Sequence, residues 1–460
     1  ECLSPFDEES RNQILDLASY MIVNESVSFQ HFSSYAFKNH LFSAEGFDDV
    51  SVCRFLNEEQ RINKTKINDF ILNWNEKFSK EEETFISYDS TNINFEGSGV
   101  TLSEEGCAKD NPNKPQINIE YAVRSSDGIP LCYEVFPGSI IDMVQCSKMI
   151  SKLKELNYTN ITLVCDRGYI SKENINHLDV NNFNFILMMK DNLIDSKNVL
   201  IDHFNELPNN SRYYIKDHNI YGMTIPSKLF NKGKERYFHL YYSTELKSVE
   251  DINIYSTLDN YETEIKRDIE KKKVINQSEI KRLQNLFILN IKNNVIISYE
   301  KNHRAIDLKL KLSGYYSLVT SKNMTAEEAL KIYKSRDIIE KEFRMIKSQL
   351  GAKSLYTEKQ NSTLNKSFII FIASILLSII KFKTRELKNK SRKDFTMPAI
   401  LNELKKIESF FNRTSQQRMI YYKLNSKQNY MPESNMEKTA IMFLYRLELK
   451  QAIIEHLLKR

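Results

Sequence analysis

The chain has 460 residues, of which 41% are hydrophobic and 27% are charged, and its formal net charge is +5. These values describe an ordinary soluble globular protein that can bury a sizeable core in more than one domain. The total charge is too small to indicate a binding partner. The longest apolar run, FIIFIASILLSII, has 13 residues, which is too short for a bilayer span and predicts a buried helix. The chain opens with Glu1 rather than Met, so we expect further residues upstream.

The cysteine pattern argues against a disulfide framework and against a zinc site. The six cysteines contain no C-x-x-C pair, and none lies near a histidine at zinc-ligand spacing. We therefore expect a reduced, cytoplasmic protein without a signal peptide. The chain also has no G-x-x-x-x-G-K-[ST] phosphate-binding loop.

Residues 1 to about 80 are predicted to be helical, with clear segments at Ser28–His40 and Lys64–Phe78. Asp48 and Asp49 before VSVCRFL can start a short helix between them. Two interpretations stay open for this region, because a small helical domain that reads DNA and a helical cap on the main domain share this pattern.

From Glu83 to Met189 the pattern changes to short runs of β-branched and aromatic residues, which predict strands. We expect three strands, a helix, a strand, a helix and a strand, namely TFISYDSTNINF, QINIEYAV, IPLCYEVF, Asp142–Leu156, ITLVC, SKENINHL and Phe183–Met189. This order is typical of a mixed sheet with helices packed on it. Asp89 lies within the first strand and Asp166 at the end of the fourth. One such acid is most simply a turn or capping residue, but two acids in apolar strands need a partner or a metal.

Residues 195–312 interrupt this pattern with short aromatic strands around a charged, helical stretch at Leu258–Leu286. We expect an inserted, mostly β subdomain there, after which the strand GYYSLVTS returns the chain to the core. Amphipathic helices are predicted again at Ala399–Phe411 and Glu437–Leu458. The predicted domain limits are 1–80 for the helical N-terminal region, 81–194 for the first part of the core, 195–312 for the insertion, 313–385 for the second part of the core, and 386–460 for a helical, basic C-terminal region.

The segment Thr325–Gly351 is predicted to form one helix with both ends marked. Thr325 and Glu328 have the T-x-x-E spacing of a capping box, and Gly351 suits a C-terminal stop.

Four polar side chains share one side of this predicted helix. At about 100° per residue, Tyr333, Arg336, Glu340 and Lys347 lie within a seam roughly 60° wide. The simplest interpretation is a surface salt-bridge face, because pairs such as Arg336 and Glu340 commonly just support a helix. The acids elsewhere in the chain shift the balance towards a functional site.

Asp89, Asp166 and Glu340 come from separate elements and have the oxygen ligands that Mg²⁺ prefers. Three such carboxylates suit a pair of divalent cations, which can activate water or a 3′-hydroxyl on one side of a phosphodiester and stabilise the leaving oxygen on the other. The stretch Lys341–Lys393 has thirteen Lys and Arg against three Asp and Glu, which suits a phosphate backbone beside such a site.

The polar seam reads Y-x-x-R-x-x-x-E-x-x-x-x-x-x-K in full. This signature resembles the DDE transposases of bacterial insertion sequences, in the branch with a β-strand insertion before the catalytic Glu. YDST around Asp89, the VFPGSIID segment and VCDRGY around Asp166 are similar to the other blocks of that branch. Asp166 follows Asp89 by 77 residues and Glu340 follows Asp166 by 174, which leaves room for the insertion. The resemblance covers roughly Phe85 to Leu355.

The resemblance implies an α/β fold with an RNase H-like core, a mixed sheet with flanking helices, interrupted by the insertion. It implies that Asp89, Asp166 and Glu340 are catalytic and bind two Mg²⁺ or Mn²⁺ ions. Arg336 and Lys347 would hold DNA near the transposon end, and Tyr333 would contact a phosphate or help to hold a flipped base. The branch cuts and pastes double-stranded DNA between terminal inverted repeats and a target, commonly through a hairpin, as a homodimer on DNA and without a membrane.

Two other functions stay open from the sequence. One is a DNA-binding protein that derives from such an enzyme and has lost catalysis, although all the signature residues are intact. The other is a stand-alone nuclease with an RNase H fold, which would need neither the full helix signature nor the insertion. The aromatic residue of the insertion that would hold a flipped base is not indicated.

Overall fold

The computed structural model describes the chain except for residues 40, 44–46, 79–82, 107–113, 141, 191–193, 209, 231–233, 389–406, 413–416, 425–426 and 431–460. The chain divides into two compact units. Unit 1 comprises Glu1–Asn184 and Lys334–Arg460, and unit 2 comprises Phe185–Tyr333.

Four helices open the chain, and strands and helices are mixed after them. The helices are α1 (Glu8–Asn24), α2 (Phe32–Lys38), α3 (Asp49–Asn57), α4 (Lys64–Phe78), α5 (Asp142–Glu155), α6 (Lys172–Val180), α7 (Ile194–His203), α8 (Thr244–Glu270), α9 (Gln277–Gln284), α10 (His303–Leu312), α11 (Ala326–Lys334), α12 (Asp337–Ser348) and α13 (Gln360–Lys388). The strands are β1 (Thr84–Phe95), β2 (Gln116–Arg124), β3 (Pro130–Pro137), β4 (Ile161–Cys165), β5 (Asn184–Met188), β6 (Tyr214–Ile215), β7 (Ile220–Lys228), β8 (Glu235–Tyr242), β9 (Phe287–Lys292), β10 (Val295–Lys301), β11 (Tyr315–Thr320), β12 (Ser354–Leu355), β13 (Ile407–Asn412), β14 (Gln417–Leu424) and β15 (Lys427–Tyr430).

The sheet of unit 1 is mixed and has the order β3-β2-β1-β4. The strands β1, β2 and β3 form an antiparallel meander, and β4 lies parallel to β1 on its other side. Every residue of β2 is buried, which is expected of a strand with both faces covered. The predicted fold class, a mixed sheet with flanking helices, is therefore confirmed.

Asp89 points to the sheet face on which α12 and α13 pack. Asp89 pairs directly with Tyr121 on β2, so their side chains share one face. The Tyr121 ring lies 6.0 Å from that of Phe343 on α12 and 5.7 Å from that of Phe371 on α13. On the opposite face, Cys132 contacts Met149 of α5. This layering brings α12 over the middle of β1.

The N-terminal region is helical, as predicted, and it packs on α13. The Phe6 and Phe70 rings lie 5.5 Å and 5.4 Å from the ring of Phe368. The indole of Trp74 on α4 donates a hydrogen bond to the carbonyl of Pro130 on β3, at 2.8 Å. These contacts are those of a helical cap on the core, while a DNA-reading role stays a prediction.

Within the described residues, one helix has the length and composition of a membrane span, the part of α13 from Gln360 to Lys381. This is longer than the 13-residue apolar run that the sequence singles out. Of the window that qualifies, 78% is buried inside the protein. A core helix meets the same criteria, so this feature is weak evidence for a membrane.

Unit 2 contains a sheet with the order β5-β11-β8-β7-β6 in which neighbouring strands are antiparallel. A second group, α8 to α10 with the ribbon β9–β10, has its own buried cluster around Ile265, Leu283 and Phe287. Between residues 195 and 312, α8, α9 and α10 have 27, 8 and 10 residues, whereas β6 to β10 have 2, 9, 8, 6 and 7. Helix therefore exceeds strand there, and the prediction of a mostly β insertion is wrong. The helical stretch predicted at Leu258–Leu286 begins earlier, at Thr244, and residues between Glu270 and Gln277 separate α8 from α9.

The C-terminal region differs from the prediction where it is described. Residues Ile407–Asn412 form β13, which pairs with β14, so the helix predicted at Ala399–Phe411 is wrong over its last residues. Aromatic and β-branched residues in IESFFN and QRMIYYKL favour strands once a partner strand is present. The predicted helix Glu437–Leu458 lies outside the described residues.

Candidate active site

The two predicted aspartates occupy equivalent positions on parallel neighbouring strands. Ser87 of β1 pairs with Val164 of β4, and Asp89 and Asp166 each follow two residues later. Asp166 caps a short 3₁₀ turn, Arg167–Tyr169, and accepts a hydrogen bond from the Arg167 amide at 2.7 Å. The parallel register therefore brings the two carboxyl groups side by side, Asp89 within β1 and Asp166 directly after β4.

The third acid lies on α12, and the predicted single helix Thr325–Gly351 is wrong. The chain forms α11 and α12, which Ser335 and Arg336 separate. The amides of Ile338 and Ile339 bond to carbonyls three residues earlier, a tighter turn than that of an α-helix. The polar seam predicted for one continuous helix therefore does not hold across the break, which separates Tyr333 from Glu340 and Lys347.

Both predicted ends of the segment are confirmed. The Thr325 amide donates to Glu328 Oε2 at 2.8 Å, and the Glu328 amide donates to Thr325 Oγ1 at 3.2 Å, which is a capping box. The Thr325 amide and hydroxyl, which both donate to Glu328 Oε2, hold the pKa of Glu328 below its usual range. Gly351 has a φ of +70°, the left-handed conformation that glycine adopts most easily after a helix.

One guanidinium group contacts all three acids. Arg336 Nη1 lies 3.1 Å from Asp89 Oδ2, and Arg336 Nη2 lies 3.0 Å from Glu340 Oε1 and 3.7 Å from Asp166 Oδ2. The side chains of Arg336 and Asp89 are only 11% and 14% exposed, whereas those of Asp166 and Glu340 are 39% and 50% exposed. The structure thus gathers Asp89, Asp166, Glu340 and Arg336 into one cluster that is open to water on one side.

The cluster has the oxygen ligands for a divalent cation, although the carboxylates are spaced around the guanidinium of Arg336. Among the described residues, no three His, Cys, Asp or Glu side chains lie at distances that suit a metal ion. The acids stand 3.0 to 3.7 Å from guanidinium nitrogens, whereas Mg²⁺ binds oxygen at about 2.0–2.1 Å. Carboxylates that converge on one cation are the donor set that Mg²⁺ or Mn²⁺ needs. The donor set of Asp89, Asp166 and Glu340 therefore fits such an ion, provided that the guanidinium moves out of the space between them.

Glu342 is a further acid on α12 that does not belong to this cluster. It is 2% exposed and accepts a hydrogen bond from the Ser378 hydroxyl at 3.2 Å. Burial raises the pKa of Glu342 to about 8, against the opposing effect of the Lys381 charge. A carboxyl group that stays protonated at neutral pH offers no anionic ligand to a metal.

The two remaining predicted residues, Lys347 and Tyr333, lie on different helices. Lys347 is half-buried on α12, two turns beyond Glu340 and therefore on the same side of that helix. Tyr333 is on α11 and ends unit 2, where its hydroxyl lies 3.3 Å from the sulfur of Met188. Their predicted contacts with DNA stay predictions.

Sequence reasoning missed one residue of the cluster. The Tyr169 hydroxyl donates a hydrogen bond to Asp89 Oδ1 at 3.1 Å. Tyr169 stands three residues after Asp166 in the VCDRGY block, so its proximity to an acid was visible in the sequence. Its reach to the other aspartate depends on the parallel register of β1 and β4, which no local pattern shows.

Comparison with known protein families gives a match that covers most of the described strands. The family model described as "Transposase DDE domain" matches residues 80–376, a range that contains all three acids and both units' central strands. No curated protein matches the chain. One solved structure, described as a cryo-EM structure of the piggyBac transposase synaptic complex with hairpin DNA, is similar with a TM-score of 0.43 and 10% identity. That match covers 88% of this chain and 76% of the other, and at this TM-score it says nothing about substrate.

The matched range is more than half of the chain, and the cluster of Asp89, Asp166 and Glu340 lies within it. The chain therefore belongs to the family of proteins with a transposase DDE domain.

Proposed function

We propose that this protein is a transposase that cuts DNA at the ends of an insertion sequence and joins those ends to a target. The observation that carries the proposal is the convergence of Asp89, Asp166 and Glu340, from three separate elements, on the single guanidinium of Arg336. Acids that gather around one cation form a site for positive charge, and membership of the DDE family supports its use on phosphodiesters.

The three acids would hold two Mg²⁺ or Mn²⁺ ions. When bound, the ions would activate water or a 3′-hydroxyl for attack on a phosphodiester and stabilise the leaving oxygen. Asp89 would serve as the least exposed ligand, fixed on the sheet, while Glu340 on α12 is half exposed and has room to adjust. A phosphate would enter from the open side of the cluster, so the more exposed acids, Asp166 and Glu340, would meet it first.

Arg336 would have two successive partners. Without metal, its charge offsets the mutual repulsion of the three carboxylates. Once cations neutralise the acids, its planar fork would turn to a DNA phosphate, which it can bind with two parallel hydrogen bonds. Lys347, two turns further along α12, would add a point charge along the same strand of DNA.

Several finer features belong to the same proposal. The signature of Tyr333, Arg336, Glu340 and Lys347, and the long segment between β5 and β11, support the bacterial insertion-sequence branch. By that likeness the protein would act in the cytoplasm as a homodimer on paired inverted repeats and pass through a hairpin. Tyr333 would contact a phosphate or a flipped base at the transposon end.

The test uses the inverted repeats that flank the gene, identified by sequencing, as duplex substrates. We expect Glu340→Gln to abolish cleavage of the element end while DNA binding persists, because a lost metal ligand leaves the phosphate contacts in place. Asp337→Asn is the matched control, since Asp337 is an exposed acid on the same helix that pairs with Lys341 instead. Substantial cleavage by Glu340→Gln, or equal loss in both variants, would refute the assignment of the third acid.

A further inference from the structure

The two carboxylate oxygens of Asp89 have different partners. Oδ1 accepts hydrogen bonds from the Ser90 amide at 2.9 Å and from the Tyr169 hydroxyl at 3.1 Å. Oδ2 instead faces the cluster, where it contacts Arg336 Nη1 at 3.1 Å. One oxygen is therefore held by the fold, and the other is directed at the cation.

Tyr169 is fixed firmly enough to impose this orientation. Its side chain is buried, with 2% of the residue exposed, and its ring lies 4.9 Å from that of Tyr88. Its backbone amide bonds to the Asp166 carbonyl, and its carbonyl accepts a hydrogen bond from the buried Asn174 side chain at 2.9 Å. Asn174 also donates to the Met143 carbonyl at 3.0 Å, which ties this turn to α5.

The turn that bears Tyr169 also bears the second acid. Asp166 begins the turn and Tyr169 ends it, so the chain presents one carboxylate directly to the cluster and reaches the other through the tyrosine. A shift of this turn would move Asp166 and release Asp89 Oδ1 together. The hydroxyl thus couples the geometry of the two aspartates.

We propose that Tyr169 is a positioning residue that selects which oxygen of Asp89 binds the catalytic metal. This inference rests on the proposed function. A carboxylate rotates readily about its last side-chain bond, and its two oxygens are chemically equivalent until hydrogen bonds distinguish them. The Tyr169 and Ser90 donors occupy Oδ1 and keep Oδ2 towards the cation. Hydrogen-bonded partners of metal ligands commonly change metal affinity by about 10- to 100-fold when they are removed.

The test compares Tyr169→Phe with Tyr88→Phe in the full-length protein. Both variants lose one hydroxyl from adjacent, packed rings, but the Tyr88 side chain points to the sheet face opposite Asp89. Mn²⁺ binding is measured by calorimetry, thermal unfolding is measured in EDTA, and strand transfer is measured across a Mn²⁺ series.

We expect Tyr169→Phe to bind Mn²⁺ about tenfold more weakly and to need correspondingly more Mn²⁺ for half-maximal transfer. Its rate at saturating Mn²⁺ should stay near that of the wild type, because the metal still reaches Oδ2 once it is abundant. Tyr88→Phe should keep the wild-type affinity, whatever its melting temperature in EDTA.

Unchanged Mn²⁺ affinity in Tyr169→Phe beside a wild type that binds Mn²⁺ would overturn this inference and leave the proposed function intact. Equal weakening in Tyr88→Phe would also overturn it, because the effect would then come from ring packing. A wild type that binds no Mn²⁺ would instead refute the proposed metal site.

Discussion

Arg336 is the side chain whose replacement reveals most about the acid cluster. We predict that Arg336→Met destabilises the protein in EDTA and at the same time tightens its binding of Mn²⁺. Methionine keeps much of the side-chain length and lacks both the charge and the hydrogen-bond donors. The three carboxylates would then face one another without a cation between them.

The loss of unfolding free energy expected for Arg336→Met depends on how deeply each ion pair of Arg336 is buried. Arg336 and Asp89 are 11% and 14% exposed, and removing one partner from a buried pair costs about 3–5 kcal/mol. We take the lower end, about 3 kcal/mol, because Glu340 is 50% exposed and water reaches that side of the cluster. A metal that binds the three acids must first displace the guanidinium, and this displacement costs at most the same about 3 kcal/mol. Since a factor of ten corresponds to about 1.4 kcal/mol, the presence of Arg336 would lower the metal affinity of the wild type by at most roughly 100-fold.

The assay combines melting curves in EDTA with calorimetric titration of Mn²⁺. We expect Arg336→Met to melt several degrees below the wild type in EDTA and to bind Mn²⁺ roughly 10- to 100-fold more tightly. Arg344→Met is the matched control, because Arg344 is an exposed arginine further along α12. That variant should match the wild type in both measurements.

A folded Arg336→Met variant with unchanged or weaker Mn²⁺ affinity would refute the reasoning. It would mean that the guanidinium does not compete with the metal for the three acids. An equal effect of Arg344→Met would attribute the change to the overall charge of α12 instead.

Two further predictions concern separate parts of the molecule. Lys347→Ala should weaken binding to a cleaved transposon end and lower the slope of log affinity against log salt by about 1, and an unchanged slope would place Lys347 away from DNA. His239 is buried between Thr224 and Thr320, and burial lowers its pKa to about 4, so the folded state resists its protonation. The free energy of unfolding should therefore fall as the pH drops from about 6.5 to 4, with about 2 kcal/mol lost between pH 7 and pH 5. Urea unfolding of the wild type and of His239→Gln at both pH values measures this loss. The variant has no histidine at this position and should therefore lose about 2 kcal/mol less than the wild type.

The parts of the fold that sequence predicts well are those whose signals are local. The limits of β1 and α4 agree with the predicted segments, because alternation of apolar residues and helical spacing act within a few residues. The capping box at Thr325 was equally visible, since its two partners stand three residues apart. Asp89 and Asp166 could be selected because an acid inside an apolar strand is unusual.

The parts that sequence missed depend on distant contacts. The TAEEALKIYKSRDIIEKEF stretch contains no glycine or proline, so no residue type marked the break at Ser335 and Arg336. Arg336, which lies at the break, contacts Asp89 on the distant strand β1. The strand β13 needs β14 as a partner before its β-branched and aromatic residues prefer that state. The hydrogen bond from Tyr169 to Asp89 likewise depends on the register of β1 and β4, and the spacing of residues in the sequence does not predict it.

The proposed transposase activity is tested by strand transfer of a pre-cut transposon end into plasmid DNA in Mg²⁺ or Mn²⁺. The wild type is compared with Asp89→Asn and Asp166→Asn, each of which keeps the size of the side chain and removes its charge. We expect transfer by the wild type, and none by either variant while both still bind the DNA end. Transfer by either variant, or a wild type that binds the end and never transfers it, would refute the proposed transposase.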